Sequence, residues 1–296
     1  MDDQPSPEII DYEGYDYRAE FWADKGRDYE DRVERIAIKR LLPPTGERLI
    51  DVGGGFGRLL PLYDGYQQVV LFDYSRSQLE FARQQHGDDG YLYVAGNIYQ
   101  MPFAPALFDT ILMVRVLHHM QDAPAALRNL RAISRSGGTF LLEFANKQNL
   151  KAIARWILRR QDWNPFALDP VEFVELHYDF HPRYVHQTLA EVGFKPSRTL
   201  TVSHFRINLL KKLIPTGVLV ALDSAAQLTG DWWQVTPSVF IRSMATGPDP
   251  STHEGVFWRC PACGSTDMQE TPDAVTCDNG HRWAIVNGVY DFKELA

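Results

Sequence analysis

Residues 49–60, LIDVGGGFGRLL, constrain this chain more than any other stretch. An apolar run ends at Asp51 and is followed by glycines at alternate positions, Gly53, Gly55 and Gly57. Glycine tolerates positive φ and lets the backbone pass close to a ligand. The run after the glycines reads as a helix start, which supplies unpaired N–H groups. A strand that passes through such a turn into a helix is a nucleotide-site architecture, with a ligand-free tight turn as the plain alternative.

The surrounding pattern fits that reading. Helical spacing of Val33, Ile36, Ile38 and Leu41 predicts a helix over 29–42, stopped by Pro43 and Pro44. Strands are expected at 48–52, 68–72, 91–95, 110–114 and 139–144. Helices are expected at 57–63, 75–85 (capped by Ser75) and 123–133. After residue 145 the pattern is less regular. His181 and Pro182 open a helix that ends at Gly193, and strands at 199–204 and 237–244 enclose one or two helices. Alternating strands and helices with short links predict an α/β fold: a doubly wound, mostly parallel, seven-stranded sheet. Residues 1–28 form an arm rich in aromatics (Tyr12, Tyr15, Tyr17, Phe21, Trp22), either a lid over the site or an apolar anchor. Residues 29–246 form the main domain, 247–255 have linker composition, and 256–296 form a small separate module.

The glycine spacing discriminates between cofactors. A dinucleotide site needs G-x-G-x-x-G, yet Arg58 stands sixth from Gly53 and Phe56 stands third from Gly54. The spacing that fits is D-x-G-x-G-x-G. The second strand, VVLFDYS, ends in Asp73 followed by Tyr74, and an acid there accepts ribose hydroxyls in many nucleotide sites. AGNIYQMPF follows the third strand, and FDTILMVRVLHHM carries the fourth into the next helix.

In this order the segments resemble the class I, Rossmann-like, S-adenosylmethionine-dependent methyltransferases over roughly 29–145, and more weakly to about 245. The resemblance implies S-adenosylmethionine as cofactor, held by Asp51, Gly53, Gly55, Gly57, Asp73 and Tyr74. It implies adenine contacts from Asn97, where the family more often has aspartate, and from Ile98. Backbone near Val114 and Arg115 would meet the methionine end. His119, beside His118, is the candidate catalytic residue, as a base or merely as a packed helix-terminal side chain. Methyl transfer from a sulfonium depends chiefly on alignment, so a base is optional.

The only cysteines of the chain fall in WRCPACGSTDMQETPDAVTCDNGHRW, spaced C-x2-C-x13-C-x3-H. Cys260, Cys263, Cys277 and His281 suit a closed tetrahedral zinc site of structural type. Asn287-Gly288 then marks a hairpin turn. This module resembles the small zinc-ribbon activator subunit that partners several RNA and protein methyltransferases. It also resembles the three-cysteine, one-histidine module at the N-terminus of a ribosomal-RNA guanine methyltransferase family. The expected role here is to dock on the main domain by an apolar strand face.

The formal net charge is −8, and from residue 251 onward acids outnumber bases, which weighs against gripping phosphates. Against this acidic background, 144–161 (Lys147, Lys151, Arg155, Arg159, Arg160) and 192–222 (Lys195, Arg198, Arg206, Lys211, Lys212) stand out as basic. Those stretches suit an anionic substrate, an RNA or a membrane surface, or are simply solvated helix faces. No stretch is apolar enough to span a bilayer, and the N-terminus lacks a secretory pattern, so a cytoplasmic location is expected. The balance favours a small-molecule or lipid-like acceptor over ribosomal or transfer RNA. Two further alternatives are a non-catalytic cofactor-binding adaptor and a nicotinamide oxidoreductase, the latter disfavoured by the glycine spacing.

Overall fold

The computed structural model describes residues 7, 9, 13, 14, 27–249 and 255–296. The arm aromatics Tyr12, Tyr15, Tyr17, Phe21 and Trp22 lie outside the described residues, as does part of the linker. Helix α1, Asp28–Leu41, carries Asp28, Glu30 and Asp31 in its first turn and Lys39 and Arg40 in its last, both favourable to the helix dipole. Leu42, extended at ψ 134, precedes Pro43 and ends it.

Strand β1 (Gly46–Val52) lies between β2 (Tyr66–Asp73) and β4 (Phe108–Met113), both parallel to it. Outward from β2 lies β3 (Tyr91–Ala95), and outward from β4 lies β5 (Ser134–Ala145). Helices α2 (Arg76–His86) and α3 (Ala123–Ile133) cross over between strands. These strands are apolar at successive positions because both faces are covered. Leu49 and Leu71 pack with α1 and α2 on one face, while Ile50 and Val70 pack with α3 on the other.

Beyond β5 come α4 (Leu150–Ile157), a hairpin of β6 (Val171–Val174) and β7 (His177–Asp179), and α5 (Pro182–Glu191). Then follow β8 (Phe194–Val202), α6 (Asn208–Leu213), α7 (Thr216–Ala226) and β9 (Ser238–Ala245). Strand β9 runs antiparallel between β5 and β8. The expected seven strands are therefore present, in the order β3-β2-β1-β4-β5-β9-β8.

The sheet does not stop there. The C-terminal unit contributes β10 (Met268–Glu270), β11 (Ala274–Cys277), β12 (Arg282–Val286) and β13 (Val289–Asp291). Strand β13 pairs in parallel with β3, Val289 opposite Tyr93 and Asp291 opposite Ala95. Among the described residues the result is one mixed sheet of eleven strands, β10-β11-β12-β13-β3-β2-β1-β4-β5-β9-β8, rather than seven mostly parallel ones. Pairing of strand edges, which the sequence reading does not anticipate, satisfies the open N–H and C=O groups of β3 alongside the expected apolar docking. Aromatic packing backs it up: Trp258 stacks on Phe103 at 5.8 Å, and Trp258, Trp283 and Phe292 join the same core as the main sheet.

Two local expectations also change. Residues 57–63 form tight turns ending in a 3-10 segment, Leu60–Leu62, instead of an α-helix. The β6–β7 hairpin has no counterpart in the sequence reading.

Candidate cofactor pocket and cysteine–histidine cluster

A pocket opens at the carboxyl ends of β1, β2, β3 and β4, where a doubly wound sheet places its ligands. It encloses about 1030 Å3 including its mouth, enough for a nucleoside-sized ligand. Its floor is the glycine turn. Gly53, at φ +72, is essential in shape: a Cβ there would lie 2.1 Å from Val116 Cγ2. Gly55 (φ +50) opens onto free space and lets the backbone line the pocket. Gly57 is not a pocket residue. It allows the turn to pack on Leu60, Ala82 and His86.

Asp73 stands at the rim, at the end of β2. Its Oδ2 accepts the Gly55 N–H at 2.8 Å and its Oδ1 the Ser75 N–H at 2.9 Å, so the acid ties the glycine turn to the start of α2. Tyr74 lines the same rim. Asp51 is buried beneath, and its Oδ2 accepts the Tyr63 O–H at 2.8 Å. Burial lifts the Asp51 carboxyl to about 7, with Tyr63 and Arg58 pulling the other way.

Beyond β3 the wall is made by Gly96 and Ile98. Asn97 does not line the pocket. Its side-chain oxygen accepts the Tyr99 N–H at 2.8 Å and caps a 3-10 turn. After β4 the chain turns at Arg115, a non-glycine residue at φ +63. That strained conformation is held from two sides. The Arg115 N–H donates to Glu143 Oε2 at 2.8 Å, and its guanidinium pairs with Glu34 of α1. Arg58 pairs with Glu34 at 3.0 Å and also with Asp31. Burial raises Glu34, but Arg115 and Arg58 more than compensate and keep its carboxyl below the ordinary range. A buried carboxylate thus braces both the glycine turn and the turn after β4. None of Glu34, Arg58 or Glu143 was marked in the sequence, because the pairs connect elements far apart in the chain.

His119 and Met120 also line the pocket. The His118 and His119 rings lie 3.9 Å apart, and His177 of the β6–β7 hairpin lies 4.7 Å from His119. Burial lowers both His118 and His119, the latter to about 4, so both are neutral near pH 7. His181 caps α5, accepting the Arg183 N–H at 3.1 Å, as its place before Pro182 implied.

Cys260, Cys263, Cys277 and His281 converge in the C-terminal unit, their ligand atoms all within 4.8 Å of one another. Cys263 and Cys277 Sγ are 3.8 Å apart, and His281 Nδ1 lies 3.7 Å from Cys260 Sγ and 3.4 Å from Cys277 Sγ. A tetrahedron with metal–sulfur bonds of about 2.3 Å has edges of about 3.8 Å, so the donors are spaced for one such ion. The Asn279 amide donates to Cys263 Sγ at 3.3 Å, and chiefly through this bond the Cys263 thiol is held down at about 6, favouring the thiolate.

Comparison with known proteins agrees with this geometry. Residues 50–142 match the methyltransferase domain family. The chain is 30% identical over 156 residues to the O-methyltransferase cnsE of Penicillium expansum, covering 47% of this chain and 55% of that protein. It is 34% identical over 145 residues to the ubiquinone/menaquinone biosynthesis C-methyltransferase UbiE of Vibrio campbellii, covering 46% and 49%. The chain thus spans about half the length of these curated relatives. Among solved structures, its fold is similar to a chain from the complex of the Haloferax volcanii Trm112 methyltransferase activator with a methyltransferase. That similarity has a TM-score of 0.56 at 15% identity, over 79% of this chain and 99% of that one.

Proposed function

We propose that this protein transfers a methyl group from S-adenosylmethionine to a small-molecule or lipid-like acceptor. The observation that carries the reading is the pocket itself: a positive-φ glycine turn, a rim carboxylate at Asp73 and a mostly apolar wall, all at the carboxyl ends of adjacent parallel strands. The family match over the same residues supports it.

When bound, the cofactor supplies a methyl group already activated on a sulfonium. The protein's part is alignment. Asp73, at the rim of the pocket beside Tyr74, presents its carboxylate to the ribose hydroxyls. Gly96 and Ile98 form the adenine wall, and Gly53 and Gly55 admit the backbone to close range. The backbone at Arg115, fixed by Glu143, meets the methionine end. His119 faces the acceptor as a neutral imidazole, able to accept a hydrogen bond from an acceptor hydroxyl and to position it. The relatives are named as an O-methyltransferase and as a C-methyltransferase of ubiquinone/menaquinone biosynthesis, and the latter supports a small-molecule or lipid-like acceptor over RNA.

The cysteine–histidine cluster would hold zinc through three thiolates and one imidazole, leaving no open coordination position, which makes its role structural. The 256–296 unit then serves as a built-in counterpart of a separate activator subunit, an idea supported by its sheet pairing with β3.

The test is transfer from tritiated S-adenosylmethionine into a cell extract, followed by organic extraction and nuclease digestion. Label in the organic or small-molecule fraction is expected. Label released by nuclease would overturn the acceptor class. Absence of cofactor binding in calorimetry would overturn the enzyme assignment altogether.

A further inference from the structure

Strand registers fix which loops share one end of the molecule. Ala145 at the end of β5, Ser238 at the start of β9 and Val202 at the end of β8 are level with one another. Met113 at the end of β4 is level with Leu142 and Val52, so the pocket opens at that same end. The segments that leave Ala145 and Val202, and the one that enters Ser238, therefore surround the pocket's end of the sheet.

Those segments carry apolar side chains where water would be expected. In α4, Leu150, Ala154 and Ile157 recur at helical spacing, yet all three are exposed, Leu150 by 65% and Ile157 by 66%. Ala152 is the helix's buried residue. The apolar stripe of an ordinary surface helix faces the core; here it faces outward. Leu158 follows at 61%. Helix α6 repeats the arrangement: Leu209 and Leu213, four apart, are exposed, and no residue of that helix is buried. Trp232 is 80% exposed in the segment before β9, beside the start of α4, where Leu150 N–H donates to Val235 O. Patches of this kind mark interaction sites.

Charge selects the partner. Lys151, Arg155, Arg159 and Arg160 alternate with the apolar residues of α4 and the turn after it, and Lys212 lies between the exposed leucines of α6. The acids of this end are Asp162, Asp169, Glu172, Glu175 and Asp179 on the following loop and hairpin, Asp179 within reach of the Arg155 charge, and Asp231 beside Trp232, with Asp231 Oδ1 accepting the Thr199 N–H. A second copy joined by a two-fold axis would set α4's cations against themselves. RNA would use the cations and the tryptophans but gains nothing from exposed leucine and isoleucine side chains. Aliphatic stripes flanked by Lys, Arg and Trp match the interface of an anionic bilayer.

We propose that the carboxyl end of the sheet, through α4, α6 and Trp232, rests on an anionic membrane surface, with the pocket mouth turned towards it. Docking stands independently of the proposed function. That the methyl acceptor reaches the pocket from the lipid rests on that function.

The test sediments the purified full chain with vesicles of phosphatidylcholine alone, and of phosphatidylcholine mixed with phosphatidylglycerol. Pelleting with the anionic vesicles is expected, at least tenfold stronger than with the neutral ones. The double variants Leu150→Asp/Ile157→Asp and Lys151→Glu/Arg155→Glu should each weaken it about tenfold. Their far-ultraviolet circular dichroism and S-adenosylmethionine binding should be unchanged, because the altered side chains are exposed and outside the pocket. The proposal is overturned if the wild type stays in the supernatant with both vesicles. It is equally overturned if the aspartate variant pellets like the wild type, or if that variant merely converts a dimer to a monomer. RNA-oligonucleotide binding that is tighter than vesicle binding and survives the aspartate changes would overturn it too. Loss of cofactor binding with vesicle binding intact would count against the proposed function alone.

Discussion

Asp51 holds a proton that its unfolded counterpart would lose. With its folded value near 7 and an ordinary value of 3.8, the folded chain binds the extra proton between roughly pH 4 and 7. Its contribution to stability is therefore present at low pH and lost as pH rises through 7. His118 and His119 act with opposite sign, since burial keeps them neutral and stability falls as pH drops from 6.5 towards 4. Asp51→Asn separates the two. The melting temperature of this variant minus that of the wild type, both without cofactor, should rise steadily from pH 5 to 7.5. A flat difference would show that Asp51 titrates normally. Asp73 carries a second prediction. Two hydrogen bonds to a charged acceptor are worth ~1.5–3 kcal/mol each, so Asp73→Ala should weaken S-adenosylmethionine binding at least a hundredfold by calorimetry. A fall of a few degrees in melting temperature should accompany it, because Gly55 and Ser75 lose their acceptor. At this scale the sequence was legible where chain position alone sets the role: Asp73 ends a strand, and Ser75 and His181 precede helices. It does not show that the short Asn97 side chain is taken by the local backbone, or that the missing Cβ of Gly57 serves packing.

Elements were legible in proportion to their burial on both sides. The strands β1 to β5 announce themselves as apolar runs, and α1 by its spacing and its prolines. The turn after Gly57 does not continue as a helix because Pro61 and the packing of Leu60 tighten it into a 3-10 segment. The β6–β7 hairpin escaped detection because β6 is mostly exposed and sets Glu172 beside Phe173 and Val174, with Glu175 in the turn that follows. Close packing of the glycine turn against the β4 turn gives an element-scale prediction. Gly53→Ala should cost ~1–3 kcal/mol, from overpacking against Val116 and from its positive φ. Adding Val116→Ala should recover the packing part but not the backbone part. Full recovery in chemical denaturation would show that φ is unstrained. Trp258→Ala should cost ~3–5 kcal/mol by emptying the space stacked on Phe103.

For the whole molecule, the C-terminal unit was recognisable by its cysteine spacing, but its place in the sheet was not. Strand pairing between β13 and β3 is a long-range choice that neither segment's pattern specifies. Arg76 pairs with Asp291 at 3.1 Å, and Arg83 donates to Asn287 O at 3.0 Å, so α2 grips the unit as well. Ligand loss should then reach beyond the cluster. Chelation, or Cys277→Ser, is expected to lower the melting temperature of the full chain in a single transition. Two separated transitions, with the larger one unmoved, would show that the two parts fold independently.

Strand order along the chain also has a consequence in time. Tyr93 leaves the ribosome 196 residues before its partner Val289. At ordinary synthesis rates of about 5–20 residues per second, the β3 edge waits about 10–40 s for its neighbour. A nascent chain of this protein thus carries an incomplete sheet with an open flank until β13 emerges, and translation that stalls before β13 would leave the β3 edge exposed to unwanted pairing.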